Sequence, residues 1–320
     1  MPEFTSMILG RLGLGVLTLA AVSAVVFFSM ALLPGDIAQQ MLGQAGTPEA
    51  VANIRHDLGL DRPIGQRYLS WMYGIVHGDF GRSLASGRPI AEIAGARLVN
   101  TLFLAAFAAL ISIPLSVGLG LMAALYRQRA PDTAINFFTL LTISLPEFLI
   151  AYLLIYLFTV KAGWVPSLAV VGADTPLPER LHKIVLPVMT LTLAVAAHMT
   201  RLTRAAIVNV LSSPYIEMAR LKGLPPWRII VRHALPNALG PIVSVVVLNL
   251  AYLIVGVVVV EVVFTYPGLG QLMVDSVSKR DVPMVQASCL IFAATYITLN
   301  LFADLMSMLC DPRILNGPKS

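Results

Sequence analysis

The chain has 320 residues, 57% hydrophobic and only 12% charged, with a mean hydropathy of +0.81 and a net charge of +5. So little polar surface excludes an ordinary soluble domain and points to long apolar runs in lipid. The basic residues flank those runs, which sets aside a nucleic-acid partner as the reason for the charge.

A spanning helix needs about 20 apolar residues and a barrel strand only about 9–11, so runs of this length predict an all-α polytopic membrane protein. Six spans are predicted, over 9–33, 99–126, 134–160, 184–206, 238–264 and 286–310. The first opens on Arg11 and continues from Gly13 to Leu33, longer than the roughly 7–15 residues of a signal-peptide core, so it reads as an uncleaved span. Residues 1–6 before Met7 read as an appended leader. The stretch 34–98 reads as an extracytoplasmic helical insertion, and Tyr68, Trp71, Tyr73 and Phe80 suggest that it lies on the membrane surface.

Charge sets the orientation. With the N-terminus inside, short cytoplasmic segments hold Arg11, Arg127, Arg129, Arg201, Arg204, Arg220, Lys222, Arg228, Arg232, Arg313 and Lys319. The short outer loops hold Lys161, Arg180, Lys183, Lys279 and Arg280. Loops longer than about 60 residues are exempt from this rule, so the six arginines of the insertion do not count. The balance predicts N-in, C-in. Cys289 and Cys310, 21 residues apart in one apolar run, would lie about 31 Å apart on a helix and cannot pair within it.

Some chemistry is missing. No G-x-x-x-x-G-K-[ST] occurs, so the chain has no P-loop for a nucleotide. The five histidines form no H-E-x-x-H, and Gly81-Arg82-Ser83 lacks nucleophile-elbow spacing. Active transport would take its energy from a partner or from an ion gradient.

The most informative stretch is Ser213–Ile242, between the fourth and fifth spans. Ser213 can cap a helix and Pro214 suits its first turn. Glu217 lies early, where the helix dipole favours an anion, and Arg220 and Lys222 lie late. Gly223 is placed for a left-handed C′ residue. Trp227–Leu235 can form a second short helix, which Pro236 would end. The residues alone leave two readings. One is a hairpin offering Ile216, Ala219, Leu221, Ile229, Ile230 and Val231 to a partner. The other is an amphipathic hairpin lying on the inner leaflet.

The stretch resembles the EAA signature of bacterial ABC-importer permease subunits. Glu217-Met218-Ala219 stands for E-A-A, Gly223 for its glycine and His233-Ala234-Leu235-Pro236 for its tail; Met218 departs from the first alanine. Further ordered matches make the chain similar to the dipeptide/oligopeptide/nickel class. They are Leu33-Pro34-Gly35-Asp36, Leu58-Gly59-Leu60-Asp61-Arg62-Pro63, Gly78-Asp79-Phe80-Gly81-Arg82-Ser83, Glu261-Val262-Val263-Phe264, Pro267-Gly268-Leu269-Gly270, Arg280-Asp281-Val282-Pro283 and Asp311-Pro312-Arg313. The long first loop and the terminal D-P-R resemble the larger subunit of the heterodimeric pair.

The resemblance implies one permease domain over 1–320, with a cytoplasmic coupling hairpin at 212–236. It also implies an inner-membrane location and import of a solute, peptides first. The implied partners are a second permease subunit, two cytoplasmic P-loop ATPases carrying ATP-Mg, and an extracytoplasmic solute-binding protein. This chain itself would bind no cofactor or metal and catalyse nothing. The implied coupling residues are Glu217, Ala219, Arg220, Gly223, Leu235 and Pro236. His198, Glu261, Asn300 and Asp304 are candidates for the path or gate, because ionisable groups in membrane face a cavity or a partner; interhelical hydrogen bonding is the other reading. Glu147 and Asn249 fall under the same two readings, and Gly118 and Gly120 read as close-packing residues. The rival function is a stand-alone secondary transporter or channel, for which internal inverted repeats are the expected sign.

Overall fold

A computed structural model of the chain describes residues 2–32, 39, 47–57, 59–172 and 174–310. Among the described residues the regular structure is helical, apart from an isolated bridge between Arg82 and Pro89. The motif at 33–36, Leu58 and the tail motif at 311–313 lie outside the described residues.

In chain order the helices are α1 (Pro2–Ala31), α2 (Pro48–Asp57), α3 (Ile64–Val76), α4 (Ile90–Leu125), α5 (Ala130–Ser144), α6 (Glu147–Leu154, prolonged by a π-turn over Ile155–Lys161) and α7 (Leu177–Lys183). They continue as α8 (Val185–Leu211), α9 (Pro214–Leu221), α10 (Pro226–Ile229, prolonged by a π-turn over Ile230–Ala234), α11 (Leu235–Val263), α12 (Leu269–Ser278) and α13 (Val282–Cys310).

Five helical stretches among the described residues are long and apolar enough to cross a membrane: Ile8–Ala31, Ile90–Leu125, Val185–Leu211, Pro226–Ile254 and Val282–Phe302. The sixth predicted span, 134–160, is not one straight helix. It is the pair α5 and α6, bent by 105°. Pro146 drives Leu145 into an extended conformation (φ −96°, ψ 131°), which ends α5 and starts α6 in a new direction. The sequence reading treated this segment as a single span because its apolar composition carries straight through the break.

Apolar composition does not say which face of a membrane helix is inward; small residues do. The buried stripe of α4 includes Ala94, Thr101, Ala105, Ala108, Ser112, Ser116, Gly120 and Ala124, and its main partner is α8. A Cβ on Gly120 would lie 2.8 Å from Thr203 and 3.0 Å from the Thr200 carbonyl oxygen, so only glycine permits this approach. Gly118 has open space around it, and only Gly120 of the pair is a close-packing residue. The outward faces carry Leu110, Ile111, Phe137, Phe138, Leu153 and Leu157, an apolar belt suited to lipid chains.

Three buried clusters divide the interior. One lies towards the end with the insertion, around Leu104, Leu186, Leu253, Phe264 and Tyr266. A second, around Ile207, Ile216, Ile229, Ile230 and Ile242, lies at the opposite end, where α8 passes into α9. The third packs Ile90, Ala94, Leu269, Met284 and Ala287 beneath Phe80. The aromatic residues of the insertion divide: Phe80 covers the third cluster and Tyr73 stays exposed, while the other two face α1. Tyr68 and Trp71 stack on Phe27 and Phe28 of α1, at ring distances of 5.4–5.5 Å, and Tyr68 Oη lies 2.9 Å from Ser23 Oγ.

Candidate functional site

The α9–α10 hairpin is built as its sequence suggests, with two differences. Ser213 occupies the extended N-cap position of α9 (φ −77°, ψ 146°), but its backbone carbonyl rather than its hydroxyl serves the first turn, accepting from the Ile216 and Glu217 N–H groups. At the other end Gly223 takes φ +75°. Leu224 N–H donates to the Ala219 carbonyl (3.3 Å) and Gly223 N–H to the Arg220 carbonyl (2.9 Å), the paired bonds of a Schellman cap. No other group lies within 4 Å of a Cβ built on Gly223, so within the chain this glycine supplies conformation rather than space.

The second difference concerns Pro236, which does not end a helix. The limb α10 runs through the π-turn Ile230–Ala234 directly into α11, with Pro236 in the first turn of that long helix. A π-turn widens the helix just ahead of the proline, which relieves the clash between its ring and the preceding turn.

The apolar residues of the hairpin divide by face. Ile216, Ala219, Ile229 and Ile230 point inward, sealed against α4, α8 and α11, with Leu224 and Leu235 packed beside them. They are not available to a partner, contrary to the contact surface expected of Ile216, Ala219, Ile229 and Ile230. The outward face carries Tyr215, Met218, Leu221, Trp227 and Val231, of which Leu221 is 77% exposed, along with exposed Glu217, Arg220, Lys222, Gly223 and Pro236. The two readings of the sequence both needed an exposed apolar face; that face exists, keeps Leu221 and Val231 of the residues expected there, and adds Tyr215, Met218 and Trp227.

The end with the insertion is held by two buried carboxylates. Glu261, in the last turn of α11, is fully buried and accepts from Thr101 Oγ1 (2.6 Å), Gly270 N–H (2.7 Å) and Gln271 N–H (3.1 Å). Thr101 Oγ1 in turn accepts from Leu269 N–H (2.8 Å). Glu261 thereby caps the N-terminus of α12, where free N–H groups and the helix dipole favour an anion. A Cβ on Gly268 would overlap the Glu261 carboxylate, and one on Gly270 would crowd it and Val258, which explains the glycines around Leu269.

Beside it, Arg180 donates to Asn100 Oδ1 (2.9 Å) and lies 3.8 Å from the Phe103 ring centre, while Tyr266 donates to the Asn100 carbonyl (3.0 Å). Burial pushes the Tyr266 phenol upward, keeping it a donor. Asp281 is the other carboxylate. It accepts from Ser83 Oγ (2.5 Å), Leu84 N–H (3.1 Å), Ala85 N–H (3.3 Å) and Met284 N–H (3.4 Å), so it caps α13 and fastens the insertion to it.

The remaining candidates are scattered rather than gathered into one site. Asp304 pairs with Arg11, joining α13 to α1, and Asn300 lines a groove between those helices. Asn249 donates to its own helix at Val245 (2.8 Å). Glu147 starts α6 and faces Gly256. His198 is exposed at the midpoint of α8 and lines a cavity of about 420 Å³ with Asn136, Arg201, Leu202, Arg204 and Ala205. Among the described residues no group of three or more His, Cys, Asp or Glu is placed to hold a metal.

Thr101, Asn100 and Asp132 carry no signal of a site in the sequence, and Arg180 and Arg204 entered only as charges that set the orientation. Asp132 and Arg204 form a fork-to-fork ion pair, both bonds 2.7 Å, that ties the start of α5 to α8. Its only sequence signal is one carboxylate and one arginine flanking different apolar runs.

Comparison with known proteins agrees with this architecture. Residues 116–316 match the model of the binding-protein-dependent transport system inner membrane component, and residues 4–104 match the N-terminal model of such membrane components. The chain is 34% identical to a protein of Sinorhizobium fredii named as a probable peptide ABC transporter permease, across 96% of this chain and 98% of the relative. It is 38% identical to the glutathione transport system permease protein GsiC of Escherichia coli, across 93% and 94%, and 37% identical to the Salmonella choleraesuis protein of that name across the same shares.

Proposed function

Since the chain belongs to the family of binding-protein-dependent transport inner membrane components, and is thus a permease subunit of an ABC importer whose ATPase activity lies in partner subunits, we propose that it forms one half of a peptide path. A second, similar permease subunit supplies the other half. In the bacterial inner membrane its N- and C-termini face the cytoplasm, and residues 34–98 face outward to the solute-binding protein. The peptide assignment rests on relatives named for peptide and glutathione transport, glutathione being itself a small peptide.

The observation that carries the coupling assignment is the hairpin's division into two faces. Its inner face is continuous with the packing of α4, α8 and α11, so it is not a loose amphipathic flap. Its outer face presents Tyr215, Met218, Leu221 and Trp227 around Glu217 and Arg220. Aromatic, methionine and arginine side chains are those enriched at protein interfaces. We assign this face to the cleft of an ATPase subunit, with Gly223 at the turn and with Ala219 and Leu235 supporting it from inside. Glu261 and Asp304 act as anchors of the fold rather than as gates.

The test is purification of the assembled complex from its native host and reconstitution into liposomes with its binding protein. The proposal expects a second permease and P-loop ATPases in stoichiometric amounts, and ATP-dependent uptake of peptide. Recovery of this chain alone, transporting without ATP, would establish the secondary-transporter alternative instead.

A further inference from the structure

The first helix leaves a groove that the fold does not fill. α1 packs mainly on α13 and is otherwise largely uncovered. Between the two helices lies a cavity of about 570 Å³. The helices approach closely at Gly15, where an added Cβ would lie 3.1 Å from Ile297 Cγ2. The walls carry Leu12, Leu19, Val22, Ala293, Ile297 and Leu301. The Thr18 and Thr298 hydroxyls among them donate to the Leu14 and Ala294 carbonyls of their own helices, at 2.8 and 2.7 Å, so they add little polarity. At one end the lining changes character and becomes Arg11, Asn300 and Asp304.

The groove has the length of one leaflet. The two helices are antiparallel, since Phe27, Met30 and Ala31 of α1 share a small cavity with Val282 and Pro283 of α13 at the end with the insertion. Arg11 lies 20 residues from Ala31, and Asp304 lies 22 from Val282. Those separations are about 30 and 33 Å along the two axes, against a hydrocarbon layer of about 30 Å, so both helices place the Arg11–Asp304 pair at the boundary opposite the insertion. From the pair to Val22 and Ala293, where the lining ends, is 11 residues on either helix. That is about 16.5 Å, close to half the layer. The cavity thus runs from a headgroup region to the midplane, polar at the surface and apolar below.

The polar end is not saturated by its own pairing. Arg11 Nη1 meets Asp304 Oδ2, and the two side chains remain 43% and 39% exposed, open to a ligand. The other guanidinium N–H groups and the Asn300 amide have no partner among the described residues. We propose that the groove binds a phospholipid of that leaflet (the inner one in the orientation proposed above), with a chain laid between α1 and α13, its phosphate on Arg11 and a primary ammonium on Asp304. The ion pair is neutral as a whole but dipolar, so a zwitterionic headgroup satisfies both of its ends. A purely anionic headgroup brings no cation for Asp304, and a trimethylammonium has no N–H to donate to it. Asn300, one turn deeper than Asp304, stands where the ester carbonyls can accept from its amide. The inference goes beyond the permease reading and needs only that the chain spans a membrane.

The experiment uses the assembled complex in nanodiscs containing a trace of phosphatidylethanolamine with a diazirine on one acyl chain. After illumination, crosslinks to the groove segments 12–22 and 293–301 are mapped by mass spectrometry and divided by those at Phe137 and Phe138 of the lipid-facing belt. The host lipid is phosphatidylethanolamine, phosphatidylcholine or phosphatidylglycerol with the same chains. The proposal expects groove crosslinks in the choline and glycerol hosts, and a groove-to-belt ratio about tenfold lower in the ethanolamine host, which competes for the site through one charge-assisted hydrogen bond. Asp304→Asn should remove the difference between hosts, and Arg11→Gln should lower the ratio in the choline host towards that of the belt. If either variant fails to assemble, the three hosts compared in the parent remain the test. A ratio indifferent to the host would make the groove an ordinary lipid-facing surface. A fall in the glycerol host instead would assign an anionic headgroup, and absence of groove crosslinks in every host would mean that the second permease covers it. Each of these overturns the proposal. ATP-driven uptake by the same complex tests the permease reading separately.

Discussion

Replacing Glu261 tests whether the buried carboxylate acts as a hydrogen-bond hub or as a charge. In Glu261→Ala, Thr101 can turn its hydroxyl to the Arg97 carbonyl, already 3.2 Å away, but the Gly270 and Gln271 N–H groups lose their acceptor. Each unsatisfied buried donor costs about 1–3 kcal/mol, and the deleted side chain leaves a void between Gly268, Gly270 and Val258, so a loss of at least about 3 kcal/mol is expected. In Glu261→Gln the amide oxygen can take both backbone donors. Its NH₂ can donate to Thr101 Oγ1, whose own proton then goes to Arg97. Only the charge assistance is lost, about 1 kcal/mol. The assay is the thermal midpoint of the detergent-purified complex, followed by fluorescence-detected size exclusion, together with ATP-driven uptake. A large drop for alanine and a small one for glutamine, with uptake following stability, fits the hub. A glutamine variant that is fully stable yet inactive would refute the reasoning and make the negative charge itself part of the transport cycle.

Asp281→Ala should release the segment at Ser83–Ala85 while leaving α13 formed, seen as at least tenfold faster amide exchange at Leu84 and Ala85. Gly120→Val should abolish assembly, because its added carbon meets Thr203 and the Thr200 carbonyl, whereas Gly118→Val should assemble normally. Gly223→Asn should cost at most about 1 kcal/mol and keep ATPase binding, since asparagine tolerates φ near +75° and nothing in the chain crowds it. Gly223→Trp should leave the chain inserted but lose the ATPase subunits on co-purification; normal uptake in that variant would remove the coupling assignment.

The helical class, five of the six expected spans and the hairpin were legible because each has a local cause: run length, capping residues, and a glycine after a basic last turn. The φ of Gly223 could be read from its neighbours because a Schellman cap is local. The bend at Leu145-Pro146 had a local signal too, but hydropathy is blind to it. The faces of the hairpin were not legible, because Ile216 and Leu221 look alike in sequence and only packing against α4 and α11 sends one inward and leaves the other exposed. The partners of Glu261 and Asp281 were out of reach for a different reason. Thr101 and Ser83 lie 160 and 198 residues away, and nothing local to either carboxylate names them.

The length of α4 has a mechanical consequence. Its 36 residues span about 54 Å, well beyond a hydrocarbon layer of about 30 Å. Near one end Thr101 is bolted to Glu261 and Leu269; near the other, Ala124 is embedded with Ile216 and Ile229 at the root of the hairpin. The two fastenings are about 35 Å apart along one helix, and Pro114, near the middle of that stretch, takes one rung out of its hydrogen-bond ladder. A push at the hairpin therefore travels to the α11–α12 corner along a lever with one soft joint, and the stiffness at Pro114 sets how much of the push arrives.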